Sequence, residues 1–173
     1  ESGLRSGDRI ALQLSGSFPV LNIAAIIACE TLELEPLISS SVGASSFGAN
    51  IPEFSYLDME KRLYERGIIN HRSELVTGGG DGDRGNFLWE ESSDMLRQVS
   101  ERTGYPIIYP DSMQQAVQMK REFFNERGPV RGFINVGGNH SSLGNCNHSS
   151  RLPVGLLVKQ ESCRHEDRKA LYI

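Results

Sequence analysis

Ile10-Ala-Leu-Gln-Leu-Ser-Gly-Ser-Phe-Pro-Val-Leu-Asn-Ile-Ala-Ala-Ile-Ile-Ala-Cys-Glu-Thr-Leu-Glu-Leu34 is the stretch on which the fold turns. Its first five residues form a short apolar run, entered from Ser6-Gly7-Asp8 and left through Ser15-Gly16-Ser17, which marks a buried strand. From Val20 to Leu34 the sequence is apolar nearly all round, as expected of a helix packed deep against a sheet, with Pro19 suited to its first turn and Ser17 to its cap. Pro36 prevents continuation, and Leu37-Ile-Ser-Ser-Ser-Val42 reads as a second strand. A strand, a tight polar turn, a helix and another strand predict a βαβ unit.

The alternation then repeats along the chain. A charge-free segment, Gly43 to Pro52, precedes a helix that opens at Ser55, where Ser55 and Asp58 have capping-box spacing and Tyr56, Met59 and Leu63 share a face before Gly67. Leu75-Val-Thr77 is a short strand that empties into Gly78-Gly-Gly-Asp-Gly-Asp-Arg-Gly85. Met95, Leu96, Val99 and Thr103 mark a helix ending at Gly104, and Pro106 to Tyr109 is a fourth strand. Ser112 and Gln115 cap a helix carrying Met113, Ala116, Val117 and Phe124, after which Arg131 to Val136 is the fifth strand. Continuous apolar strands alternating with helices predict an α/β fold, an open three-layer sandwich with a mostly parallel, Rossmann-like sheet in a single domain. The alternative is a half barrel or a truncated larger α/β domain, with Val154 to Val158 as a sixth strand. The opening Glu1-Ser-Gly-Leu without Met and the apolar Ala170 to Ile173 suggest an excerpt of a longer chain, truncated at both ends.

Composition narrows the function classes. With 38% hydrophobic residues in 173, the chain holds enough apolar surface for a packed core, which excludes disorder and a disulfide-stapled miniprotein. A net charge of −4 argues against a nucleic-acid binder with a broad basic face. No run of 18 apolar residues exists, so no membrane span is predicted. Three cysteines, Cys29, Cys146 and Cys163, fit either reduced thiols or one bridge.

Loops leaving the carboxyl ends of parallel strands gather on one edge, where ligands bind. Four such loops here are rich in Ser, Gly and Asn. The first offers Ser15 and Asn22, and the second Ser40, Ser45 and Asn50. The third offers Gly79, Gly80 and Arg84, and the last Asn135, Gly137 and Gly138. Small residues admit a ligand to the backbone, and free N–H groups favour anionic oxygens, so the edge is expected to bind a carboxylate or phosphate. The plainer reading is that Gly and Ser merely make tight turns.

The glycine loop lacks the Gly-Lys-Ser/Thr of a Walker loop, and no dinucleotide fingerprint opens the first helix. Its Gly85 and Ser92 also break the pattern of a calcium hand. Asp81 and Asp83 are left to hold a divalent metal beside a carboxylate-bearing substrate, with Arg84 nearby, or to stand as solvated charges. A nucleophilic triad can be drawn from Ser17, His140 and either Asp81 or Asp83, although no Gly-x-Ser-x-Gly elbow is present and Ser17 also serves as a cap. Cys146, His148, Cys163 and His165 are zinc-type ligands at spacings unlike those of structural zinc sites, and are set aside.

Four phrases together resemble the family of poly-gamma-glutamate system proteins, found beside the capsule-polymer synthesis machinery of bacteria. They are Gly16-Ser-Phe-Pro-Val-Leu-Asn22; Ser40-Ser-Val-Gly-Ala-Ser-Ser-Phe-Gly-Ala-Asn-Ile-Pro-Glu-Phe54 running into Leu57-Asp-Met-Glu60; Gly78 to Gly85; and Asn135-Val-Gly-Gly138 with Ser142-Leu-Gly144. The resemblance runs from about Ile10 to Leu157 and departs at Asn139-His140, where the family carries small residues. It implies a role at the cell envelope in making, exporting or processing gamma-linked polyglutamate, with the synthesis machinery and a glutamate-derived ligand as partners. It supplies no catalytic residue. Three functions follow as expectations: an accessory protein binding a small anionic group at the sheet edge, a hydrolase or transferase of gamma-glutamyl bonds, or a non-catalytic partner of a membrane synthase.

Overall fold

The computed structural model describes residues 2–43, 50–85, 92–137 and 140–143. In chain order the elements are β1 (Arg9–Ser15), α1 (Pro19–Thr31), β2 (Glu35–Ser41), a small hairpin of β3 (Asn50–Ile51) and β4 (Phe54–Ser55), and α2 (Tyr56–Glu65). They continue with β5 (Leu75–Thr77), a 3-10 turn (Asp81–Asp83), α3 (Ser92–Thr103), β6 (Ile107–Ile108), α4 (Met113–Asn125), β7 (Gly132–Val136) and the short α5 (His140–Leu143). Five strands form one sheet in the order β6-β5-β2-β1-β7, every neighbouring pair parallel. This is the expected α/β fold with an open parallel sheet between helical layers.

The strand order records one reversal. The chain steps from β1 through β2 and β5 to β6 in one direction, then returns to lay β7 on the far side of β1. Right-handed crossovers therefore place α1, α2 and α3 on one face and α4 on the other. Strand periodicity divides the core accordingly. Ile10, Leu12, Leu14, Ile38, Val42 and Val76 pack with Ile26, Leu57, Leu96 and Val99 of the three-helix layer. Ala11 and Leu37 point the other way, onto Phe124 of α4, with Phe133 alongside.

Local chemistry fixes the element ends. Asp58 accepts hydrogen bonds from the Ser55 N–H (2.7 Å) and hydroxyl (2.8 Å), completing the capping box of α2, and also binds the Arg102 guanidinium at the end of α3. Burial works against ionisation of Asp58, but these donors outweigh it and hold its carboxyl below the usual range. Ser112 caps α4 by accepting from the Gln115 N–H (3.2 Å).

Helix α1 departs from expectation in three ways. Phe18, not Ser17, is its N-cap, and no side chain caps it. It ends at Thr31 without help from Pro36, which lies inside β2. Termination comes from a Schellman turn in which the Leu34 N–H reaches the Cys29 carbonyl (2.8 Å) and the Glu33 N–H reaches that of Glu30 (3.0 Å), with Glu33 left-handed at φ 55°. Nor is the helix buried all round: Asn22, Ile26 and Cys29 face the core while Val20 is 76% exposed and Leu21, Ile27 and Leu32 are exposed with it. A sheet covers only one side of a helix, so the apolar composition of α1 exceeds what the sheet can bury. Among the described residues no helix is long and apolar enough to cross a membrane. The expected strand at 154–158 and the Cys146, His148, Cys163 and His165 positions lie outside the described residues.

Candidate active site

The exit loops of the central strands lie side by side along the carboxyl edge. The Gly16 N–H donates to the Ser41 carbonyl, Val42 to Thr77 and Gly43 to Gly78, each at 3.0 Å. Gly137 completes the row, so close to Ser15 that a Cβ on it would fall 2.7 Å from the Ser15 Cβ. The glycines are required by this mutual approach: a Cβ on Gly16 would sit 2.4 Å from the Val42 oxygen. Gly79 and Gly80 are both left-handed, and the loop closes through the Gly85 N–H onto the Gly79 carbonyl (2.7 Å). Much of the amide set expected to cradle an anion is thus spent joining loop to loop.

The side chains singled out from sequence take varied places. Ser15 is buried, accepting from the Ser17 N–H (3.3 Å) and meeting the Ser17 hydroxyl (3.2 Å). Asn22 donates from Nδ2 to the Ser15 carbonyl (2.8 Å), tying α1 to the end of β1. Ser40 turns to the α1–α3 face, where it bonds Ser73 (2.6 Å). Arg84 is exposed and donates from Nε to the Pro110 carbonyl (2.9 Å). Asn135 donates from Nδ2 to the Gly137 carbonyl (2.6 Å). Asn50 pairs through its backbone in the β3–β4 hairpin, Asp81 opens the 3-10 turn and His140 opens α5. Ser45 and Gly138 lie outside the described residues.

Asp83 is the residue around which a site assembles. It is fully buried, in the left-handed region at φ 65°, a conformation uncommon outside glycine and tolerated by Asp. Such a conformation places a short carboxylate beneath α4, where its Oδ2 accepts from Lys120 Nζ (2.5 Å) and from the Ser141 hydroxyl (2.7 Å). Lys120 Nζ also donates to Ser141 Oγ (2.5 Å), closing a triangle. Lys120 has no exposed surface, and Ser141 is almost as buried. Burial drives the Lys120 ammonium below the ordinary lysine range, against the opposing pull of Asp83. The triangle joins three elements: the exit loop of β5, the inner face of α4 and the first turn of α5.

Lys120 and Ser141 are functional candidates that the sequence reading passed over. Lys120 follows Ala116 by four residues and precedes Phe124 by four, so helical spacing already placed it on the buried face of α4. A lysine there asks for a buried partner. The structure sets Asp83 beside Lys120 and Ser141, while Ser17 is joined to Ser15. Among the described residues no three His, Cys, Asp or Glu side chains converge as metal ligands.

The sheet floor under Lys120 is polar. Ser39, Gln13 and Asn135 occupy one register row across β2, β1 and β7, and Thr77, Ser41 and Ser15 the row above it. The remainder of that face, toward the strand amino ends, is the apolar patch of Ala11, Leu37 and Phe124. Neither a family model, nor a curated protein, nor a solved structure matches the chain.

Proposed function

We propose that the protein is a hydrolase or transferase of amide bonds that uses Ser141 as nucleophile, Lys120 as general base and acid, and Asp83 to orient Lys120. The carrying observation is the contact of the Ser141 hydroxyl with a lysine amine withdrawn from water. A serine hydroxyl is a weak nucleophile unless a neighbouring base takes its proton, and desolvation favours the neutral amine that can do so.

In the first step the Ser141 hydroxyl turns its proton from Asp83 to the neutral Lys120 Nζ, which accepts it as Oγ bonds to the substrate carbonyl carbon. The ammonium so formed is held by Asp83 and then passes the proton to the departing nitrogen as the C–N bond breaks. Water or an acceptor amine, deprotonated by the same lysine, then attacks the acyl carbon, and as the C–O bond to Ser141 breaks the lysine returns that proton to Ser141 Oγ. The gamma-glutamyl bond suggested by the family resemblance is the substrate class to test first, with exposed Arg84 as a cation for its carboxylates and the polyglutamate machinery of the cell envelope as the setting.

Release of nitroaniline from gamma-glutamyl-p-nitroanilide, and shortening of gamma-linked glutamate oligomers, test this reading. Ser141→Ala is expected to lower turnover by roughly 10³-fold or more, and Lys120→Met by about 10²–10⁴-fold. Turnover in Ser141→Ala equal to that of the parent, or none in either, defeats it. A second reading, non-catalytic binding of a small carboxylate or phosphate group, draws support from the convergence of the exit loops on one rim. It predicts calorimetric heat with glutamate oligomers that survives Ser141→Ala.

A further inference from the structure

We infer that the floor beneath Lys120 is a recognition surface for a carboxamide, built at the switch point between β1 and β7. Gln13, Ser39 and Thr77 are fully buried, yet both amide atoms of Gln13 and both hydroxyl oxygens have no partner among the described residues. A buried polar atom without a partner is destabilising, and native cores keep few of them. Here they adjoin one another: Gln13 is directly across from Ser39, and Thr77 lies one row on, across from Ser41. At the same strand level on the other face, the Ser40 hydroxyl is paired. Among the described residues, Asn22 Oδ1 and the Tyr105 hydroxyl, on the three-helix side, and the Ser142 hydroxyl are orphaned singly, whereas five orphaned atoms, of Gln13, Ser39, Thr77 and Asn135, gather on adjacent strands of the α4 face.

The location follows from topology. α1 leaves β1 toward one face while the chain after β7 turns into α5, which joins the 3-10 turn and α4 on the other. Diverging connections open a crevice outside the carboxyl ends of the two strands, the place where open parallel sheets bind ligands. The orphan row runs outward from Ser39 through Gln13 to Asn135, which is half-buried on β7 at the sheet edge.

Donor and acceptor bookkeeping selects the ligand. Asn135 commits Nδ2 to Gly137, so its orphaned Oδ1 asks for an N–H from elsewhere. Gln13 presents one acceptor and an NH₂, while the hydroxyls of Ser39 and Thr77 serve either way. Lys120 is already engaged by Asp83 and Ser141, so it is not offered to the ligand as a free cation. A free carboxylate only accepts, and it would face Asn135 Oδ1 with no proton between them. A carboxamide offers an N–H to Asn135 and an oxygen to Gln13. This inference rests on the reading of the rim as the place where an amide is cleaved, and it names the group recognised.

The test compares L-glutamine with L-glutamate, which differ in an amide against a carboxylate, by calorimetric titration of full-length Ser141→Ala. Glutamine is expected to bind at least about tenfold more tightly. Gln13→Met and Thr77→Val, added to that background, are each expected to weaken glutamine by about tenfold or more while leaving the melting temperature unchanged or higher, because an orphan is removed. If Gln13→Met does not fold, Thr77→Val and Ser39→Ala carry the test. Equal affinity for the two ligands, no glutamine binding, or unchanged affinity in the folded variants overturns the inference. Ser141-dependent turnover without amide preference sinks this inference alone. Amide binding that Gln13→Met abolishes, without Ser141-dependent turnover, sinks the hydrolase reading alone.

Discussion

Two carboxylates are buried on opposite faces of the sheet, and they are held differently. Glu60 of α2 accepts from the Tyr56 hydroxyl (2.8 Å), the Ser73 hydroxyl (2.8 Å) and the Ser73 N–H (3.1 Å), with Ser40 bonded to Ser73 behind it. These donors are neutral, and burial together with Glu60 pushes the Tyr56 phenol well above its usual range, so it remains a donor. Asp83 instead faces a lysine and a serine. A carboxylate satisfied by neutral donors fixes α2 against the sheet and has nothing to exchange. One that shares a serine with a desolvated amine has a proton to move. Burial of a charge is therefore a poor guide to function, and the chemistry of its partners a better one.

Lys120→Met breaks the comparison most severely. It strands Asp83 in the interior, so a loss of about 3–5 kcal/mol in urea denaturation is expected alongside the loss of turnover. Ser141→Ala and Ser73→Ala form the matched pair. Each is expected to cost about 1–3 kcal/mol, since Ser141 bonds both Lys120 and Asp83 and Ser73 bonds both Glu60 and Ser40, but the first removes activity and the second leaves turnover intact. Activity that falls with Ser73→Ala and persists with Ser141→Ala would invert the assignment.

Protonation sharpens the contrast. A depressed Lys120 pKa means that, between its folded value and the ordinary lysine value, the unfolded chain holds the extra proton. Its contribution to stability therefore rises with pH through that window and is lost as pH falls through the folded pKa. Turnover should show an ascending limb below the ordinary lysine range, and a flat profile there would exclude Lys120 as the base. Asp58 serves as the structural control. Its folded pKa is lowered, so its contribution is present above the ordinary carboxylate pKa and fades as pH drops through the folded value. Acid melts of Asp58→Asn should lose that slope while the pH–rate profile stays put. The smallest effect is Glu33→Gly, expected to stabilise by about 0.5–1 kcal/mol by relieving a left-handed residue, with no change in turnover.

Local signals carried most of the fold. The strand at Leu75–Thr77 and the Ser55–Asp58 cap are legible because hydrophobic runs and capping boxes act over a few residues. The exposure of α1 was not legible, since an apolar helix announces burial whether or not a second layer exists to cover it. The site was half legible. Asp83 and the strand-end loops followed from the parallel topology, but Lys120 acquires meaning only from Asp83, 37 residues away, and Ser141, 21 residues away. The β3–β4 hairpin left no signal because its two-residue strands are too short for alternation.

The position of β7 also bears on how the molecule is made. β1 pairs with β2 within the first 41 residues, but its other flank stays bare until Gly132–Val136 has been synthesised. A nascent chain can therefore build the three-helix layer and the Glu60 network early, while closing β7 onto β1 requires the most distant pairing in the sheet, the kind of contact whose loop-closure entropy slows folding. The join between these two strands is the last part of the sheet to come into being, so a chain stalled before Gly132 leaves one flank of β1 unpaired.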